Sequence, residues 1–351
     1  MKKGIISILL AFVLLFTASG CSMTTSLSFS NAWNEGKSTA LGFKETLEYT
    51  VELKKETVSG PNFSYTSAIT DYDYNLNGTY VITVTATTNE KEKINTETNE
   101  KENINTDIFE GSLSVYKITS KLTLTGNYGE YQVEEDYVET ECDFARESNS
   151  NSFFPIYSKT TNKSTILNFY ENKYTPQEIK TVVETVYNKN SYTIKKDIYK
   201  KQEDTISSTT TKTYNKAYET YIDNSQLLFA IRNLGVEEES NKSLSVVSYA
   251  YGTAKSLNVQ YLSKGQVETD LEVNTENKKA NFSTDILSFG IASDSSSGMK
   301  QIIYLQNAKE DNTNLNRALI VKYIEPLTTY TTFNCMGSLV YTLNSVSIKS
   351  N

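Results

Sequence analysis

The residues with the sharpest chemistry are few. The chain holds three cysteines, Cys21, Cys142 and Cys335, and no histidine. Without histidine there is no Ser-His-Asp or Cys-His relay and no imidazole to shuttle protons. A Cys/His zinc site is excluded on the same ground, while an all-carboxylate calcium site remains compatible with the composition. No spacing singles out a carboxylate pair for acid–base work. The phosphate-loop, dinucleotide and EF-hand patterns are absent. The expectation is a non-catalytic protein, with no catalytic residue, no metal and no cofactor.

Cys21 has a telling neighbourhood. Lys2 and Lys3 precede an apolar run from Ile5 to Phe16 that only Ser7 interrupts, and the run ends in Thr17, Ala18, Ser19 and Gly20. A charged start, an apolar middle and a small-residue end are the parts of an export signal. The run is about a dozen residues, against about 20 needed to span a membrane. Ala18-Ser19-Gly20-Cys21 resembles the lipobox of bacterial lipoproteins, with Ala18 where that family usually has Leu. The resemblance implies that residues 1–20 are removed and that Cys21 becomes a lipidated N-terminus. The small neighbours admit the peptidase, and the thiol carries the diacylglyceryl group. The partner so implied is a membrane, reached through the lipid anchor, and the location is extracytoplasmic. Ser22 stands where an Asp would mark inner-membrane retention in cells with two membranes.

In an oxidising compartment Cys142 and Cys335 have two fates. Paired, they would close a long loop and restrict the unfolded chain by roughly 4–5 kcal/mol. Unpaired, they are two separate buried thiols. The sequence leaves both open. The net charge of −8 becomes more negative once Lys2 and Lys3 leave with the signal. Such a chain repels phosphate backbones and anionic headgroups, so nucleic acid is not an expected partner.

The elements that must position any site are strands. The chain has 25 Tyr and four Pro, and it is rich in Thr, Val and Ile, the residues that suit a pleated, half-buried surface. In residues 79–86, Tyr80, Ile82, Val84 and Ala86 share one face. In residues 267–273, Val267, Leu271 and Val273 oppose Glu268, Asp270 and Glu272. Tyr192, Ile194 and Ile198 alternate with Thr193, Lys195 and Asp197. This period of two is that of antiparallel strands with one wet face. Asn77-Gly78 reads as a type I′ hairpin turn. A parity switch between Val115 and Tyr116 suggests a bulge or bend. Residues 182–199 read as a long strand pair or one strongly bent strand. A ten-residue unit occurs twice, at 88–97 and 98–107, with one apolar residue per copy, Ile94 and Ile104. Two copies are too few for a solenoid, so a solvated loop or hairpin extension is expected.

One helix interrupts the pattern at residues 225–234. Asp223 or Asn224 can cap it, Gly235 follows it, and Leu227, Leu228, Ile231 and Leu234 form its apolar face. Arg232 on this helix either meets a buried carboxylate or extends to water. Strands resume at 244–251, 257–262, 267–273, 282–291, 301–306, 318–324 and 338–348. The fold class is therefore mainly β: a long, curved antiparallel sheet or half-barrel packed on one short helix. The domain plan is a signal at 1–20, a tether at 21–40 and a single β-rich domain at 41–351.

The run from Tyr221 through Asp223, Leu227, Leu228 and Arg232, with the later Gly337-Ser338-Leu339-Val340-Tyr341 strand, resembles the DUF3108-type exported proteins. These are similar in shape to LolA/LolB-like half-barrels, in which a curved sheet wraps a helix. The resemblance covers residues 160–348, with Asn224 where the family often has Pro. It implies a concave apolar surface that holds a lipid or other hydrophobic ligand. The other function compatible with the sequence is an envelope surface protein with a structural or interaction role and no small ligand. The sequence names no protein partner.

Overall fold

The computed structural model describes residues 43–54, 56–65, 74–86, 92–94, 101–103, 113–147, 153–170, 173–188, 190–199, 205–215, 221–234, 236, 238, 241–248, 254–291, 300–307, 318–327 and 337–349. In chain order the strands are β1 (Lys44–Lys54), β2 (Val58–Gly60), β3 (Phe63–Tyr65), β4 (Tyr74–Ala86), β5 (Glu92–Ile94), β6 (Lys101–Asn103), β7 (Leu113–Tyr128), β8 (Tyr131–Glu147), β9 (Phe153–Tyr170) and β10 (Lys173–Tyr187). They continue with β11 (Ser191–Tyr199), β12 (Ile206–Asn215), β13 (Ile222–Asp223), β14 (Asn241–Val247), β15 (Lys255–Val273), β16 (Glu276–Ile291), β17 (Gln301–Gln306), β18 (Ile320–Leu327) and β19 (Gly337–Lys349). Between β13 and β14, one 3-10 turn (Asn224–Gln226) runs into helix α1 (Leu227–Ile231).

Fifteen of these strands form one sheet, ordered β12-β11-β10-β9-β8-β7-β4-β1-β19-β18-β17-β16-β15-β14-β13. The pairing is antiparallel except for β13 with β14 and a short parallel contact of β15 with β19 at Glu272–Ser345 and Val273–Val346. That contact curls β15–β19 onto itself. The two arms of the sheet also meet: Ser158 on β9 donates to Asp223 on β13 over 2.6 Å. The architecture is thus the expected curved, barrel-like sheet around a short helix.

Period two sets which face is inside. On β1 the residues Glu45, Leu47, Tyr49, Val51 and Leu53 are all buried, and those between them are not. The opposite face of β7–β11 is wet and carries a ribbon of alternating charge. Lys117 pairs with Glu141 at 2.9 Å, Glu141 lies opposite Lys159, and Glu184 is flanked by Lys159 at 3.6 Å and Lys195 at 3.9 Å. Strands β16–β19 differ, because both of their faces are covered. The inner face packs on the helix, and the outer one, with Ile286, Ile302, Ile324 and Val340, lies beneath Val58, Phe63 and Tyr65 of the β2–β3 hairpin.

Several local expectations are corrected. Asn77-Gly78 is not a turn; both residues lie inside β4, with Gly78 opposite Leu124. A Cβ at Gly78 would sit 1.7 Å from the carbonyl oxygen of Thr123, so the glycine serves close backbone approach to β7. Gly126 on β7 meets Asn75 O at 1.8 Å in the same way. The strand does not bulge between Val115 and Tyr116. Its register is regular there and shifts instead between Leu124 and Gly126. Residues 257–262 and 267–273 belong to one strand, β15, with a bulge between Tyr261 and Ser263. The strand pair within 182–199 is present as β10 and β11. The duplicated segment contributes a small antiparallel ribbon, with Ile94 opposite Lys101.

The helix is shorter than its expected 225–234 span, ending at Ile231. Asp223 is its cap. Its side chain accepts from Ser225 N at 2.8 Å, and its own N–H donates to Gln226 Oε1 at 2.9 Å, a reciprocal capping box. Tyr187 also donates its hydroxyl to the Asp223 carboxylate. So short a helix is not stable alone. Burial holds it: Phe229, Ala230 and Ile231 are at most 1 % exposed, and each of the two larger side chains contributes about 2 kcal/mol.

Candidate functional site

Of the residues singled out from sequence, Cys21, the 21–40 tether and Cys335 lie outside the described residues. Cys142 is on β8, fully buried, between Ile118 of β7 and Ser158 of β9. Arg232 takes the first of its two expected fates. Its guanidinium forms a bidentate pair with Glu45, at 2.8 and 3.1 Å, and its Nε donates to Ala318 O at 2.7 Å. Burial by itself lowers the Arg232 pKa; the Glu45 carboxylate beside it more than reverses this and holds it above the usual value. Tyr49, two residues along the same face, donates to Ile320 O at 2.9 Å. Desolvation pushes its phenol well above the ordinary range.

The helix covers part of the concave apolar surface. Phe229 of the helix meets Phe144, and Phe144 stacks on Tyr116, with centroids 5.7 and 5.3 Å apart. A cleft of about 200 Å³ opens on the concave side beside the start of the helix. Leu122, Val138, Leu227 and Leu228 supply its apolar floor and roof, and Tyr80, Tyr323 and Tyr341 its wall. The wall belongs to a fence of rings across five strands: Tyr49–Tyr80 at 5.8 Å, Tyr80–Tyr341 at 5.6 Å, Tyr341–Tyr323 at 4.8 Å and Tyr323–Phe289 at 6.2 Å.

The polar groups of the cleft are sparse and oriented. Tyr341 donates to Glu325 Oε2 at 2.8 Å, and Tyr323 to Gln301 Oε1 at 2.8 Å. Among the described residues of the lining, Glu325 is the one that carries charge. Desolvation raises its pKa, and the Tyr341 hydrogen bond opposes that only in part. Tyr80 is pushed up to about 12, mainly by burial. Apolar walls with a few convergent polar groups are the general form of a small-molecule site. Its volume is below the roughly 300–1,000 Å³ of such sites, so it receives one end of a ligand. A groove of about 530 Å³ on the outer face, between the β2–β3 hairpin and β15–β17, is larger but more open and more polar. Among the described residues no group of three Cys, Asp or Glu side chains is placed to hold a metal ion.

The sequence marks Tyr80, Asn224, Leu227, Leu228 and Tyr341 as strand, cap or helix positions and none of them as a ligand contact. A signal existed: Glu325 shares strand parity with Val321 and Tyr323, both core residues, so it is a charge at an inward position. Glu45 gives the same signal on β1.

No family model matches the chain, and no curated protein matches it. Among solved structures it is similar to a β-barrel-like protein of the domain of unknown function DUF1849 from Brucella abortus, at 10% identity and a TM-score of 0.41, over 88% of this chain and 99% of that one. Among the described residues no helix is long and apolar enough to cross a membrane.

Proposed function

We propose that the protein is a non-catalytic binding module, held outside the cytoplasm by lipid on Cys21, that takes the end of a hydrophobic ligand in the tyrosine-walled cleft. The observation that carries this reading is the cleft itself. Apolar residues of β7, β8 and the helix face a row of tyrosines across an opening that the side chains of the described residues leave unfilled. Tyrosine suits such a wall, with a large apolar body and a polar tip. The anchor would place the module beside a bilayer, where greasy molecules concentrate.

The test uses a neutral fluorescent probe, N-phenyl-1-naphthylamine, titrated into the protein. Wild type is expected to enhance its emission saturably, and Leu228→Arg, which puts a charge into the roof, to abolish the enhancement while the far-ultraviolet spectrum stays native. Equal enhancement by both would contradict the cleft. The anchor is checked separately: Cys21→Ser is expected to lose incorporation of an alkyne-tagged fatty acid and to leave the membrane fraction.

A second reading is favoured by one feature. Strand β12, at the edge of the sheet, is exposed along nearly its whole length, and such an edge presents backbone groups to an added strand. An envelope protein that pairs through β12 needs no ligand. Crosslinking from Thr210→Cys in cells would then recover one defined partner.

A further inference from the structure

Among the carboxylates in the inward register are Glu45 on β1 and Glu325 on β18, two strands away; a third, Asp136 on β8, accepts two hydrogen bonds from Thr165. The fold treats the two glutamates differently. Glu45 is 1 % exposed and receives the bidentate guanidinium of Arg232. Glu325 is half-buried and accepts from Tyr341. Among the described residues it forms no ion pair, and none of those that line its cleft is Lys or Arg. A carboxylate has about four acceptor positions on two oxygens, so the one hydrogen bond from Tyr341 leaves most of them without a donor among the described residues. Desolvating a charge without a counter-charge is costly.

We infer that the seat left open beside Glu325 is for an organic cation, an ammonium group with an apolar tail. The ammonium rests against the carboxylate and the faces of Tyr80, Tyr323 and Tyr341, and the tail lies on Leu122, Leu227 and Leu228. Aromatic rings around a carboxylate attract alkylammonium groups through the ring quadrupole as well as through charge. Hydroxyls on the rings help, since Tyr341 holds Glu325 in place and Tyr323 holds Gln301. A carboxylic ligand would meet like charge, and a neutral alcohol would leave the carboxylate uncompensated. This inference rests on the binding reading above and adds the chemistry of the head group.

The test is competition against bound N-phenyl-1-naphthylamine by hexyltrimethylammonium, hexan-1-ol and hexanoate. In wild type the ammonium is expected to displace the probe at about tenfold lower concentration than the alcohol, with hexanoate weakest. Glu325→Gln is expected to bring ammonium and alcohol to the same midpoint, each compared within that variant at its own measured probe affinity. Tyr341→Phe keeps the ring but releases Glu325, and should narrow the ammonium preference without abolishing it. Equal midpoints for ammonium and alcohol in wild type overturn the inference and leave the binding reading standing, as does a preference that survives Glu325→Gln. Failure of the probe to bind wild type at all overturns both.

Discussion

Glu45 and Glu325 divide the concave side into a closed pole and an open one. At Glu45 the fold supplies the cation from its own helix, and the region around it is solid, with Phe229, Ala230 and Ile231 at most 1 % exposed. At Glu325 the helix has only begun, and its first turn, with Asn224 and Ser225, borders a cleft instead of filling it. The same strand parity produces both poles. The lesson is that a charge in the core register of a sheet has two ways to be satisfied: by the chain, which makes it structural, or by something the chain receives.

The largest effect is expected at the closed pole. Arg232→Met removes the counter-charge of a buried carboxylate, and such a break costs about 3–5 kcal/mol. Urea denaturation should show it, and adding Glu45→Leu should restore most of the loss, because a buried pair replaced by apolar groups is often nearly neutral. A single-mutant loss below about 1 kcal/mol would mean that the pair is no different from a surface bridge and that the closed pole is not closed.

Next in size is Gly78→Ala. An exposed hairpin glycine replaced by alanine would cost about 1 kcal/mol. A Cβ driven into the Thr123 carbonyl should cost about 3 kcal/mol or more, since two paired backbones must part. The variant sharpens the comparison because Tyr80, the cleft wall on β4, lies two residues further on the same face. Probe affinity should fall along with stability.

The smallest effect has the opposite sign. The groups facing Glu325 are Tyr341 on β19 and Tyr80 on β4. Burial raises its folded pKa above the unfolded value, so the fold holds the proton more tightly than the unfolded chain. That advantage is full below the unfolded pKa and is lost as pH rises through the folded one. Glu325→Gln should therefore match wild type near pH 3 and melt at a higher temperature than wild type near pH 7, as read by thermal denaturation across pH. A carboxylate kept ionised at a cost in stability is expected of a receiving site. A lower melting temperature at pH 7 would assign Glu325 a structural role like that of Glu45.

Much of this fold is legible in the sequence, and the exceptions share a physical origin. Alternation in Tyr80, Ile82 and Val84 states the inner face of β4, and Asp223 with Leu227 and Ile231 states a capped, buried helix. Asn77-Gly78 misleads because local turn chemistry and close strand approach both ask for glycine. What decides between them is Thr123, which is remote in sequence. Arg232 shows the same limit from the other side, since its partner Glu45 is 187 positions away. The cleft is least legible. Period-two reading treats a charge as a mark of the wet face, so Glu45 and Glu325 pass as surface residues until their neighbours on the strand, Leu47 and Tyr323, are seen to be core.

The most direct measurement is a crystal structure of the full chain grown with hexyltrimethylammonium. The expected result is density for the trimethylammonium head against Glu325 and the rings of Tyr80, Tyr323 and Tyr341, with the Glu45–Arg232 pair unchanged. A crystal saturated with the cation in which this cleft is empty, or is closed by movement of Leu228 onto Tyr341, would contradict the division into closed and open poles.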